Sequence, residues 1–325
     1  MLAHPSLPLL SANFTRGDLF LVVYCVVDDW MKARYGSSNA PRKRRGPRSD
    51  ECSDSEVLTV LLVGELCHCW RERAWLRQVR ASYARLFPSL PEQSRFARRA
   101  EQVRELLRSL RAAILGWADA DLEPLRLLDS FPLPLCACYR LGQSTLPISG
   151  ATFGRNASKK IFFHGLHPQL LITASGFIEE LILTPGNCND TPALAFYLDE
   201  CMELGRSLWG KTWLMDSGYS NPKLAAWAKE HLGLTLVARK RYHNGGRGGQ
   251  AEGPSSWQQA LDRLRKPIEG VLSVLTECFG IEHILAKTDF GVYRRTQAKA
   301  TAFALARYIN RALGLKPMDI ARYAV

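Results

Sequence analysis

The sequence lacks the apolar runs that would place the chain in a membrane. No segment reaches about 18 uninterrupted apolar residues, the length at which such a run predicts a transmembrane helix. The apolar run from Phe20 to Val27 follows polar residues and ends in Asp28 and Asp29, unlike a signal peptide with a small-residue cleavage site. We therefore expect a soluble protein without a membrane partner.

The sequence also lacks a cysteine framework and internal repeats. Its nine cysteines are an odd number, and the Cys67/Cys69 and Cys136/Cys138 pairs are spaced too closely for the usual zinc site. No repeat of solenoid length is present. These absences predict reduced thiols, a cytoplasmic protein, and 325 residues arranged as one large or two ordinary domains.

Acidic residues are scarce relative to basic ones. The chain has 43 Lys and Arg against 31 Asp and Glu, a formal net charge of +12. This excess attracts polyanions at long range and favours nucleic-acid binding, although a solvated positive surface is the alternative. The candidate DNA-binding residues lie in separate basic segments: Arg42, Lys43, Arg44, Arg45, Lys159, Lys160, Arg239, Lys240 and Arg241.

Residues 1–120 are predicted to form a helical DNA-binding region. Ser53 precedes an apolar run, and Glu56 lies three positions after Ser53. This capping box predicts a helix from about Ser53 to Cys69. Two further amphipathic patterns follow, one of them rich in arginine. They allow either a helix-turn-helix arrangement or an ordinary helical bundle.

From residue 121 the pattern changes to alternating strands and helices. We predict three strands in a meander, then helix, strand, helix, strand and helix, over residues 121–325. The second and third strands are assigned to the runs KIFFHGLHPQLLIT and GFIEELILT. This order predicts an α/β domain.

Three acids occupy comparable positions in this predicted domain. Asp129 ends the first strand, Asp216 ends the fourth, and Glu269 lies in the last helix. A lone aspartate at a strand end is often only a turn or helix cap. Three carboxylates in these positions would repel one another unless cations neutralise them, and hard oxygen ligands suit Mg²⁺ or Mn²⁺. The pattern predicts two such ions, which assist in-line phosphoryl transfer.

Four segments carry a resemblance to a known family: LLDSFPLP, LTPGNCND, LMDSGY and PIEGVLSVLTECFGIEH. They resemble the blocks of DDE transposases of bacterial insertion sequences, most closely the family named after insertion sequence 982. The N-terminal segments YCVVDDW and SDSEVLTVLLVGEL resemble the opening of that family, so the resemblance covers nearly the whole chain.

The resemblance implies a fold, a chemistry and partners. The fold is a ribonuclease-H-like mixed five-stranded sheet flanked by helices, with Asp129, Asp216 and Glu269 as the metal-binding triad. The activity is nicking of element ends by hydrolysis, followed by joining of the 3′-hydroxyl to target DNA. The partners are double-stranded DNA and a second copy of the chain in the DNA complex, and the location is the bacterial nucleoid.

The sequence departs from the family pattern in the last helix. Leu275 stands where many relatives have Lys or Arg, and Pro267 suggests that the helix begins or kinks there.

Asp190, before Thr191 and Pro192, is interpreted as a helix cap rather than an active-site acid. Tyr219 is open to two interpretations, stacking on a base or packing beside its turn.

Two alternatives to a transposase stay open from the sequence. One is a two-metal nuclease of the same fold that cuts DNA without joining it. The other is a catalytically silent protein that occupies element ends. Strand-transfer products identify the transposase, and metal dependence separates either enzyme from a binding protein, whose affinity for DNA depends mainly on salt.

Overall fold

The computed structural model describes residues 15–41, 52–137, 148–156, 160–203, 205, 207–239 and 255–324. Most of its helices lie in one part of the chain and all of its strands in another. The chain divides into two units. One comprises residues up to Ala118 together with residues from Val274 onward, and the other extends from Asp119 to Ser273, apart from residues 146–148. The structure thus groups the C-terminal residues with the helical unit, and the predicted functional boundary after residue 120 stays a prediction.

The first unit is helical. Its helices are α1 (Arg16–Tyr35), α2 (Asp54–Leu66), α3 (Glu72–Ser82), α4 (Gln93–Gln102), α5 (Arg104–Trp117) and α9 (Asp289–Ala312). Helix α9 packs against α2 and α5 and is buried over most of its length. Inside this core, Lys299 donates to the carboxylate of Glu65 at 2.6 Å, so a buried charge is paired rather than left alone.

Helix α2 begins where the capping box predicts. Ser53 is the N-cap; its hydroxyl accepts from the backbone N–H of Glu56 at 3.1 Å, and the Glu56 carboxylate accepts from the backbone N–H of Ser53. Two backbone donors that a helix start leaves unpaired are thereby satisfied. The predicted start is confirmed, whereas the helix ends at Leu66 rather than Cys69.

The second unit contains two sheets. The strands are β1 (Leu125–Ser130), β2 (Leu133–Ala137), β3 (Thr152–Asn156), β4 (Ile161–Leu166), β5 (Gln169–Thr173), β6 (Ile178–Ile182), β7 (Thr212–Met215) and β8 (Thr235–Ala238). The helices are α6 (Asp190–Glu203), α7 (Pro222–Leu232) and α8 (Ser256–Glu277), whose last residues, from Val274, are grouped with the first unit.

The main sheet has the order β6-β5-β1-β7-β8. Strands β1, β7 and β8 are parallel to one another, while β5 and β6 run antiparallel to their neighbours. Trp213 of β7 is buried against Tyr197 of α6, with their ring centroids 5.3 Å apart. This mixed five-stranded sheet flanked by helices confirms the predicted ribonuclease-H-like fold class.

The predicted antiparallel order of three strands is present in the main sheet as β1, β5 and β6, but the prediction that KIFFHGLHPQLLIT forms one strand is wrong. The run assigned to one strand forms two, β4 and β5, which belong to different sheets. The break falls at His167 and Pro168, because proline has no backbone N–H to continue a ladder. Strand β4 joins β2 and β3 in a separate antiparallel sheet of order β2-β4-β3, inserted between β1 and β5.

Helix α8 does not begin at Pro267, as one interpretation of the sequence suggested. It extends from Ser256 to Glu277 with Pro267 inside it. None of the helices within the described ranges is long and apolar enough to cross a membrane.

The N-cap of α2 generates a stability prediction. Ser53→Ala removes the acceptor for the Glu56 N–H and is expected to lower the free energy of unfolding by about 1 kcal/mol. Urea denaturation followed by circular dichroism measures the change. Ser53→Thr keeps a hydroxyl and serves as the control. Equal stability of the alanine variant and the wild type would show that the cap contributes nothing.

Candidate active site

Three polar residues lie at the carboxyl ends of neighbouring parallel strands. Leu128 of β1 pairs with Met215 of β7, and Met215 pairs with Ala238 of β8. The next residues are Asp129, Asp216 and Arg239. Since the strands are parallel and in register, these residues come to the same edge of the sheet. Ligands of open α/β sheets bind at this carboxyl edge.

A single guanidinium group joins the two aspartates. Arg265 of α8 places Nη2 3.0 Å from Asp129 Oδ2 and Nη1 3.3 Å from Asp216 Oδ1. Its side chain is only 12% exposed, and Nε is buried with no hydrogen-bond partner in the described part of the chain. The two carboxylates therefore lie on either side of one positively charged guanidinium group, whose Nε–H makes no hydrogen bond within the described residues.

Helix α8 presents one face to this edge. Asp262 pairs with Arg239 at 3.1 Å, and Arg265 contacts both aspartates. Positions 262, 265 and 269 lie on one side of a helix, because three or four residues make about one turn. Glu269 thus continues the face that carries Arg265, and its side chain is exposed.

The structure brings together Asp129 and Asp216 but not the complete predicted triad. Within the described ranges, no group of three or more His, Cys, Asp or Glu residues could hold a metal ion. Arg265, one turn before Glu269, is the residue of α8 that reaches the two aspartates. The assignment of Glu269 as third ligand therefore stays a prediction.

Asp190 is a further acid at this edge. Although it begins α6, its Oδ1 accepts from the hydroxyl of Ser130 at 3.1 Å, and the backbone N–H of Ser130 donates to Asp129 at 2.9 Å. A Cβ at Gly218 would lie 2.1 Å from Asp190 Oδ2, so only glycine leaves room for this carboxylate. The interpretation of Asp190 as a simple cap missed these contacts. The glycine at position 218, two residues after Asp216, was the feature of the sequence that indicated a close approach at this turn.

Thr191 holds the same helix start against the turn after β7. Its hydroxyl donates to the carbonyl oxygen of Gly218 at 3.1 Å. Together with the Asp190–Ser130 hydrogen bond, this contact connects the residues that follow both aspartates to one helix end. The start of α6 therefore fixes the relative positions of the two acidic strand ends.

Burial governs the charge of Asp129. Desolvation raises the pKa of its carboxyl group to about 6, and the neighbouring negative charges of Asp216 and Asp190 act in the same direction. The Arg265 guanidinium and the Ser130 N–H oppose this increase in the pKa. A positive charge placed beside such a carboxyl group stabilises its ionised form.

Tyr219 packs beside its turn. It is 1% exposed, and its hydroxyl donates to Gln169 Oε1. Burial raises the pKa of this phenol well above its ordinary value. Of the two interpretations left open by the sequence, packing is the one that the structure supports.

The remaining predicted site residues divide into two groups. Lys160 is exposed in the turn between β3 and β4, and Arg239 lines a cleft of about 720 Å³ beside the Ser217–Tyr219 turn. The others lie outside the described residues: Arg42, Lys43, Arg44, Arg45, Lys159, Lys240 and Arg241. All nine stay predicted DNA contacts.

The chain matches a known protein family over most of the second unit and part of the first. The family model described as "Transposase DDE domain" matches residues 122–305, more than half of the chain. A comparison with curated proteins finds no match. Among solved structures, the chain is similar to a piggyBac transposase in a synaptic complex with hairpin DNA, with 12% identity and a TM-score of 0.47 over 95% of this chain and 77% of that one.

The raised pKa of Asp129 generates a pH prediction. Because the folded state holds this proton more tightly than the unfolded chain, stability falls as pH rises from about 4 to about 6. Asp129→Asn removes this loss. Between pH 4.5 and pH 7 in chelator, the variant should gain about 2 kcal/mol relative to the wild type. Urea denaturation at both pH values measures it, and parallel profiles would contradict the prediction.

Proposed function

Because the chain belongs to the Transposase DDE domain family, we propose that it is a DNA transposase that binds the ends of an insertion sequence, nicks them by metal-dependent hydrolysis and joins the 3′-hydroxyl ends to target DNA. The observation that carries this proposal is the pair of aspartates at neighbouring parallel strand ends, both of which contact the guanidinium group of Arg265. The partly buried pair favours a bound positive charge.

The residues at the sheet edge fit a divalent cation. Asp129 and Asp216 offer hard carboxylate oxygens, and the Arg265 guanidinium places one positive charge between them, where a divalent ion would supply two. Glu269, on the same helix face, is the proposed third ligand. Mg²⁺ or Mn²⁺ bound here would activate a water or hydroxyl nucleophile and stabilise the leaving oxygen; we propose two ions.

The chain's own residues then have separate roles. Asp129 and Asp216 hold the cations, while Asp190 and Thr191 keep the two acidic strand ends in register through Ser130 and Gly218. Arg265 offsets part of the negative charge of the two aspartates before metal binding. Once displaced, its guanidinium is available for a DNA phosphate, which arginine binds in bidentate fashion.

The narrower assignment rests on the sequence motifs. LLDSFPLP, LTPGNCND and LMDSGY support membership of the insertion sequence 982 family and a bacterial, nucleoid-associated transposase. The net charge of +12 supports double-stranded DNA as partner. Because two element ends must be cut in one complex, we propose a homodimer on DNA.

A cleavage assay tests the proposed function. The substrate is a labelled duplex carrying the sequences that flank the protein's own gene, mixed with supercoiled target DNA in Mg²⁺ or in chelator. The wild type should nick the ends and give joined products only with Mg²⁺. Asp216→Asn should reduce nicking at least 100-fold because it removes a cation ligand, while binding of the ends persists.

The control for this assay is Asp199→Asn, an exposed acid on α6 away from the sheet edge. It should cut like the wild type. Nicking without joined products would replace the transposase by the nuclease. Binding without any nicking would leave only the silent end-binding protein. Equal cutting by Asp216→Asn would remove that residue from the site.

A further inference from the structure

The inserted sheet β2-β4-β3 has one closed face. Gly154 and Gly165 lie on this side with the buried ring of Phe163, and neither position has room for a side chain. A Cβ at Gly154 would lie 2.5 Å from the carbonyl oxygen of Gly186, and one at Gly186 would lie 2.6 Å from the carbonyl oxygens of Gly165 and Thr152. The backbone at Gly186 therefore packs directly against this face.

The opposite side of β3 and β4 is open and carries aromatic rings. We call it the aromatic face and define it as Phe153, Arg155, Phe162 and His164. Phe162 is 67% exposed and Phe153 is 56% exposed. Large apolar side chains left in water on a strand pair are unfavourable unless a partner covers them, and such patches mark interaction sites.

The register arranges these four side chains in two cross-strand pairs. Phe153 pairs with His164, and their ring centroids lie 5.6 Å apart in an edge-on arrangement. Arg155 pairs with Phe162, with the guanidinium carbon 6.0 Å from the ring centroid. The two phenylalanines are diagonal neighbours, which places their Cα atoms about 7–8 Å apart. Two stacking surfaces thus lie side by side with a cation beside them.

The chain segment that forms this face carries charge of one sign. The sequence contains no aspartate or glutamate between Asp129 and Glu179, a segment that includes all three strands of the inserted sheet. Arg155 lies on the face, and Lys160 is exposed in the turn that joins β3 to β4. Acidic residues on this segment would repel the phosphates of a nucleic acid, whereas they would matter less to an apolar partner. The absence of acids therefore favours a nucleic acid.

We propose that the aromatic face binds single-stranded DNA, with bases stacked on Phe153 and Phe162 and phosphates on Arg155 and Lys160. Exposed aromatic rings beside cations bind unpaired strands, because a base offers its flat face only when it is free of the duplex stack. Strand β2 begins four residues after Asp129, so the chain links this surface directly to the acidic strand end.

The proposal deepens the proposed function and rests on it for the choice of DNA as ligand, but strand binding needs neither metal nor cleavage. The test therefore uses the full chain with Asp216→Asn in chelator. Fluorescence anisotropy measures the Kd of a labelled oligothymidine and of a fully paired duplex of equal length, at several salt concentrations. Failure of cleavage and failure of strand binding are thereby observed separately.

Phe153→Ala/Phe162→Ala should weaken oligothymidine binding at least tenfold, since each stacked base contributes on the order of fivefold or more, while duplex affinity changes less than twofold. Arg155→Gln should lower the salt dependence of binding to the oligonucleotide. Phe153→Trp/Phe162→Trp keeps two stacking surfaces and should bind like the parent. Phe196→Ala, which removes another exposed ring of the same unit, is the matched control.

Photocrosslinking covers the case in which the double alanine variant fails to fold. An oligonucleotide containing 5-iodouracil should crosslink the parent protein at Phe153 or Phe162, as identified by peptide mapping. Unchanged oligothymidine affinity in a folded double variant, equal losses for single strand and duplex, or crosslinks confined to other segments would each overturn the proposal. Altered self-association with unchanged DNA affinity would assign the face to a protein contact instead.

Discussion

The contact of one guanidinium group with two carboxylates is the interaction on which the account of this protein depends. Asp129 and Asp216 belong to different strands, and Arg265 belongs to a helix that follows them by many residues. Parallel pairing of β1 with β7 brings the acids to one edge, where they would repel each other without a cation. Arg265 supplies that cation in the protein alone, and a metal ion has the charge and ligand preference to replace it.

Much of this arrangement could be predicted from the sequence because it depends on local patterns. The capping box at Ser53 determines where α2 begins, and the apolar runs ending in Asp129 and Asp216 predict strands that carry acids at their ends. The order of strands and helices then restricts the sheet to few topologies. The five-stranded sheet has the predicted class, and the two aspartates lie at the same edge.

The remaining features depend on contacts between residues far apart in sequence. Arg265 was not predicted, because nothing local distinguishes it from other arginines on a basic helix. Asp190 resembles a helix cap by its position and is connected to the site only through Ser130 and Gly218. The inserted sheet was missed because apolar runs on both sides of Pro168 read as one strand. In each case a tertiary contact decides what the local pattern leaves open.

Direct measurement of Mn²⁺ binding by electron paramagnetic resonance tests the central claim without requiring the DNA substrate. If Asp129 and Asp216 hold the cation where Arg265 now lies, Asp129→Asn should weaken Mn²⁺ binding at least tenfold. Arg265→Gln should strengthen binding relative to the wild type, because the competing guanidinium is gone. Equal Mn²⁺ affinity in all three proteins would contradict the account and leave the two aspartates as partners of a structural arginine.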